Sequence, residues 1–185
     1  MMNKFSFALF VLLACCISCQ NGSNKVLSIK ELGDIEHALI KKISQQQAHP
    51  RLDTMVLHET KQYLEKCEAF AEKNPNDPAT VGLLYKSGEV AKSVGLYGLA
   101  IRMWGIIQRE HPKDPKAGDA LFMQAFTFEN DLRDTESAKK YYHDFLTRFP
   151  SHQFADDAKQ LLQLIDKSPE ELIKEFESKN EPKAN

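Results

Sequence analysis

The sequence predicts an all-α chain built as a stack of antiparallel helix hairpins, and three observations carry that expectation. Apolar residues from Ser28 onward recur at steps of three and four, the spacing of one helix face. Three similar phrases each end at a proline, Phe70 to Pro75, Ile107 to Pro112 and Phe145 to Pro150, separated by 37 and 38 residues. Small residues recur in phase between those prolines. A fixed period of this length is the signature of a helical-hairpin solenoid, in which each hairpin buries its apolar face against the next.

The 185 residues allow one ordinary domain with a sizeable core. An apolar content of 42% and a charged content of 27% exclude wholesale disorder. With 26 acidic residues against 24 basic ones, the net charge is −2, which leaves no positive footprint for a phosphate backbone. No nucleic-acid partner is therefore expected.

The N-terminus reads as an address. Lys4 precedes an apolar run from Phe5 to Ile17, the charged and apolar parts of a secretory signal. The run is shorter than the roughly 20 residues a bilayer-spanning helix needs. Cys15, Cys16 and Cys19 crowd its end, and the chain turns polar at Gln20. This segment resembles a bacterial lipoprotein signal, whose acylated cysteine becomes the mature N-terminus. Leu12-Leu13-Ala14-Cys15 fits that pattern by residue type, whereas Cys16-Ile17-Ser18-Cys19 places the polar tether directly after the modified residue. Cys19 is the preferred lipidation site, with Cys15 as the alternative. The resemblance implies a signal over residues 1–18, a tether over 19–27, and palmitate-type chains that hold the protein at a membrane without spanning it. It also implies a bacterial envelope location facing the periplasm. Gln20, in place of the acidic residue used for inner-membrane retention, favours the outer membrane. The remaining cysteine, Cys67, reads as a small buried hydrophobe on a helix face, or as an odd cysteine to be flagged in an oxidising compartment.

Residues 28–52 predict an N-terminal helix and loop. Ser28 with Glu31 forms a capping box, and Ile29, Leu32, Ile35, Leu39 and Ile43 make one stripe that ends before Pro50. Residues 53–166 predict the repeat domain. Asp77 and Asp114 stand as N-caps with Pro78 and Pro115 at the first helical position. Gly88 lets two helices approach, Gly95 makes the turn, Ala100 gives room for the crossing, and Trp104 fills space against the next hairpin. Leu121, Ala125, Phe128, Ala138, Tyr142 and Pro150 repeat the series, with a turn one residue longer and Asp134 as the following N-cap. Half-repeats flank these: Tyr63, Cys67 and Phe70 echo Ala100, Trp104 and Ile107, while Ala155 and Ala158 echo Ala117 and Ala120. Gln163 replaces the small residue of a tight crossing, as a terminal cap would. Residues 167–178 predict a capping helix and 179–185 a disordered tail.

Leu84, Gly88, Ala91, Gly95, Tyr97, Ala100, Trp104 and Pro112 fall where tetratricopeptide repeats place large and small residues. The chain resembles that family over about residues 53–166, with two full repeats and two half-repeats. The phrases Ala117 to Leu121 and Phe145 to Ser151 are similar to repeats of the outer-membrane assembly lipoprotein and Tol-Pal cell-division coordinator type. The resemblance implies a right-handed superhelix whose first helices line a groove for protein segments. By register, that groove presents Gly82, Tyr85, Glu89 and Lys92 in the first repeat, and Asp119, Phe122, Phe126 and Glu129 in the second. The aromatics among them read either as anchors for a partner or as packing within a short array.

No enzymatic constellation is found. No two of the six histidines stand three or four apart. His58-Glu59 opens like a zinc-binding helix but continues Thr60-Lys61-Gln62, with no second histidine. No glycine-rich phosphate loop or nucleophile elbow occurs. The reading is a non-enzymatic scaffold without metal, cofactor or small-molecule substrate, whose partners are envelope proteins and the membrane. The alternative is a structural protein that self-associates through the ends of the solenoid.

Overall fold

The computed structural model describes residues 26–46 and 53–167, with Glu170, Glu171, Ile173 and Lys174 beyond them. The signal, the lipidation candidates Cys19 and Cys15, most of the tether, the loop at 47–52, and most of the expected capping helix and tail lie outside the described residues. Seven helices and no strand occur among the described residues: α1 Ile29–Gln46, α2 Thr54–Lys73, α3 Thr80–Ser93, α4 Tyr97–Glu110, α5 Lys116–Asn130, α6 Thr135–Arg148 and α7 Ala155–Ile165. The fold is an all-α helical-hairpin solenoid.

Local chemistry sets each boundary. The Ser28 and Glu31 box closes reciprocally: Ser28 N–H donates to Glu31 Oε2 at 2.7 Å, and Glu31 N–H donates to Ser28 Oγ at 3.3 Å. Asp53 caps α2 through the Met55 N–H at 2.9 Å, and Asp134 caps α6 through the Ser137 N–H at 3.0 Å. Gly95 closes α3 at φ +77 in a Schellman turn, where Leu96 N–H reaches Ala91 O at 2.9 Å and Gly95 N–H reaches Lys92 O at 3.0 Å. The longer turn after α5 puts Arg133 at φ 56, a left-handed position with no glycine to fill it.

The joints between hairpins repeat almost atom for atom. The three even helices end at Asn74 (φ −129, ψ 53), His111 (φ −128, ψ 48) and Phe149 (φ −130, ψ 54), with cap N–H groups bonded to Phe70, Ile107 and Phe145 carbonyls. Each joint then adds a tight turn: Asp77 N–H to Asn74 O at 3.1 Å, Asp114 N–H to His111 O at 3.0 Å, and His152 N–H to Phe149 O at 3.1 Å. Asp77 and Asp114 accept from Ala79 and Lys116 N–H at 2.8 Å but do not stand at the expected N-cap positions, which Ala79 and Pro115 occupy without side-chain cap bonds. The regular helix starts only at Thr80 and Lys116, after a tighter first turn. In the third joint the acceptor is a histidine: Phe154 N–H donates to His152 Nδ1 at 3.3 Å.

Side-chain contacts fix the helix directions. Lys42 late in α1 meets Glu59 early in α2 at 2.6 Å, while Tyr63, further along α2, donates to Glu36 at 3.3 Å. These two helices are therefore antiparallel. Lys116 at the start of α5 stands 4.9 Å over the Tyr85 ring of α3, and Lys92 near the end of α3 pairs with Asp131 just past α5 at 2.5 Å. Consecutive odd helices are therefore parallel neighbours.

The core follows the repeat. Tyr63, Cys67 and Phe70 of α2, Ala100, Trp104 and Ile107 of α4, and Ala138, Tyr142 and Phe145 of α6 are all buried. Trp104 is fully buried, in one core cluster with Ala117 and Ala120 of α5. Its ring packs back onto α3 of its own hairpin, and Nε1–H donates to Tyr85 O at 3.1 Å. Gly88 makes that possible, because a Cβ there would stand 2.4 Å from Trp104 Nε1. A second close approach was not legible in the sequence: a Cβ at Gly118 would stand 2.6 Å from His152 Cδ2. Ile29, expected on the buried stripe of α1, is exposed because it lies on the first turn, beyond the part of α1 that buries Leu32, Leu39 and Ile43.

Gly88→Ala forces the indole or the α3–α4 spacing to shift and is expected to cost about 1–3 kcal/mol in urea denaturation. Gly82→Ala has nothing within 4 Å of the new methyl. It is expected to be neutral or to stabilise by up to about 1 kcal/mol through helix propensity.

Candidate partner-binding face

The residues expected to line the groove lie on α3 and α5, the parallel odd helices, and the structure divides them into three groups. At the N-terminal end, Tyr85 is half-buried, with its ring centroid 6.5 Å from that of Trp104 and its outer face under Lys116. Burial pushes the Tyr85 hydroxyl up to about 12, and the charges of Glu89 and Asp119 add to the shift. Glu89 is exposed, yet its carboxyl is held above the usual range, first by partial desolvation and then by Glu36 and Asp119, against the pull of Lys116 and Lys86. Asp119 is already engaged: His152 Nε2 lies 3.3 Å away and Gln153 Nε2 lies 3.4 Å away.

At the C-terminal end, Lys92 is held by Asp131 and also sits 5.7 Å from the Phe126 ring centroid and 5.9 Å from that of Tyr97. Phe126 is half-buried and keeps an accessible edge. Glu129 accepts the Tyr142 hydroxyl at 2.7 Å, so it ties α5 to α6.

Phe122 does not belong to the open face. It is 8% exposed and sits among Phe154 (4.7 Å between centroids), Phe145 (5.5 Å) and Tyr142 (5.9 Å). The cause is α7, whose entry residue Phe154 stacks over the ring. Sequence register alone assigns the outward position but does not reveal what the next half-repeat lays across it. Lys116 and Asp131 bridge α3 to α5 and were missed. Their signal was their position at the two ends of α5, opposite Tyr85 and Lys92 once the odd helices are known to be parallel.

A cavity of about 320 Å³ extends the face toward α1, between Glu36, Ile40 and Ile43 on one side and Lys86, Glu89 and Val90 on the other. Two larger clefts open on the opposite, even-helix face. One of about 620 Å³ lies between α2 and α4, and one of about 440 Å³ lies between α4 and α6. Among the described residues no three metal-ligating side chains converge, and no helix is long and apolar enough to cross a membrane. Cys67 is buried and unbridged, and burial pushes its thiol up to about 12.

Residues 119–152, most of α5 together with α6 and its joint, match the tetratricopeptide repeat family. No curated protein matches the chain. Such a repeat points to a protein–protein interaction scaffold, and repeats of this kind are typically non-enzymatic adaptors.

The raised carboxyl of Glu89 has a stability consequence. Its folded form binds a proton more readily than the unfolded chain, so the ionised group destabilises the fold above its folded-state value. That penalty disappears as pH falls below the ordinary carboxylate value of 4.5. Glu89→Gln is expected to raise the melting temperature at pH 7, with the difference closing in melts run below about pH 4.5.

Proposed function

We propose that the chain is a non-enzymatic, membrane-tethered scaffold of the bacterial envelope, which binds a segment of an envelope protein on the odd-helix face. In this reading acyl chains on Cys19, or on Cys15, hold the body at the outer membrane, facing the periplasm, where it serves barrel assembly or envelope maintenance. What supports the address is the sequence pattern of residues 1–24, and what supports the activity is the tetratricopeptide match.

The observation that carries the binding reading is the arrangement of Tyr85, Glu89, Lys92 and Phe126 across two parallel helices. Both aromatics are half-buried, while Lys92 is already held by Asp131 and Lys116 lies over the Tyr85 ring. A face whose side chains are fixed before binding loses less entropy when a partner docks, and accessible aromatics are the side chains that most often anchor interfaces. Phe122 contributes by stiffening the wall from beneath and Asp119 by tying α5 to the α7 joint.

A second reading, self-association through the solenoid ends, draws on exposed apolar residues at both extremes. Met55 is 61% exposed on the first hairpin and Ile173 is 58% exposed beyond α7. Sedimentation of residues 24–185 separates the two readings: a monomer at high micromolar concentration argues against self-assembly.

Tyr85→Asp combined with Phe126→Asp is expected to weaken co-purified envelope partners at least tenfold, about 1.4 kcal/mol, while circular dichroism remains helical. Unchanged partners with an intact fold would remove the groove from the account. Cys19→Ala is expected to release the protein from membranes. Retention of an acylated Cys19→Ala protein would assign the anchor to Cys15.

A further inference from the structure

We infer that the cleft between α4 and α6, on the face opposite the groove, is a second binding site that takes an acidic, extended segment of a partner protein. The cleft holds about 440 Å³ and has Leu121 and Gln124 of α5 as its floor. It is separate from Tyr85 and Phe126, so it stands or falls independently of the groove.

Charge identifies the occupant. The mouth carries three cations, Arg109 from α4 and Lys140 and Arg148 from α6, against a single lining carboxylate, Asp144. Asp144 is taken by Arg148 at 3.2 Å, and Arg109 is shared with the exposed Glu110 at 3.0 Å. Lys140 has no ion-pair partner among the described residues. An excess of positive charge along one cleft favours an anionic partner and speeds its encounter.

The floor supplies the second observation. Gln124 is 3% exposed and commits its amide nitrogen to Ile101 O at 2.8 Å, which leaves a buried Oε1 without a donor. Gln108, on the α4 wall, does the same: its Nε2 donates to Ala117 O and its buried Oε1 has no partner. Native proteins rarely leave buried acceptors unpaired. The backbone N–H groups of an extended segment are donors of the right kind for acceptors of this sort. Gly105 keeps the α4 wall bare here, since a Cβ on it would stand 3.3 Å from Gln124 Nε2.

Length agrees with an extended occupant. Lys140 to Arg148 spans about 12 Å of helix at ~1.5 Å per residue. That is the reach of three to four strand-like residues at ~3.3 Å each. Tyr141, half-buried, offers apolar surface between the charges, so the occupant alternates acidic and apolar side chains.

The test uses the folded chain lacking the signal, with two fluorescent probe peptides, acetyl-Glu-Leu-Glu-Leu amide and acetyl-Lys-Leu-Lys-Leu amide. The glutamate probe is expected to bind, to bind at least tenfold more weakly after Arg109→Glu with Lys140→Glu, and to weaken as salt rises. In nitrogen-15 spectra it should move the side-chain amide signals of Gln124 and Gln108. The Tyr85→Asp, Phe126→Asp protein should bind it unchanged. Both substituted cations are exposed, so circular dichroism should report an intact fold. Equal binding of the lysine probe, indifference to charge reversal, or unmoved glutamine amides at millimolar peptide would each overturn the inference.

Discussion

The chain leaves every even helix by the same backbone step, a residue near φ −130 and ψ 50 whose N–H still bonds back into the helix. That step carries the next odd helix alongside the previous odd one. Because it is applied three times with nearly constant angles, equivalent residues of successive hairpins fall into register. The buried ladder through α2, α4 and α6 follows, and so do the charge bridges from α3 to α5. A backbone geometry shared by Asn74, His111 and Phe149 is not a property of the cap side chain. It is fixed by the hydrogen bonds on either side of it and by the proline that follows each cap.

The two faces of the stack differ in physical character as a result. On the odd face, helices are close enough for Lys92 to reach Asp131 and for Lys116 to lie over Tyr85 before any partner arrives. On the even face the helices stand further apart, and clefts open over a floor of odd-helix residues. The close approach of Gly88 to Trp104 lies between these layers, and it draws α3 against α4 within one hairpin. One array thereby offers a preformed, mixed-charge surface and a deeper, cation-rimmed one, built from the same repeat.

Much of this was legible because helical arrays are written in local terms. Ser28, Asp134 and Gly95 announce boundaries through their own short-range bonds, and the 37- and 38-residue period announces the stacking. Residues whose role depends on a neighbour two elements away were not legible. Phe122 reads as outward from its register, yet Phe154 covers it. Trp104 reads as a wedge toward the next hairpin, and its bond to Tyr85 O within its own hairpin has no sequence signal. The cleft over Gln124 has no linear signature, since its parts come from three helices and its distinguishing feature is a missing hydrogen bond.

His152 occupies the joint position that Asp77 and Asp114 hold earlier in the array. A carboxylate there only accepts, but an imidazole has two unlike nitrogens. Accepting from Phe154 N–H through Nδ1 places the ring proton on Nε2, where it points at Asp119. Gly118 lets the ring lie flat enough to serve both. The three joints are thus alike in shape and unlike in chemistry.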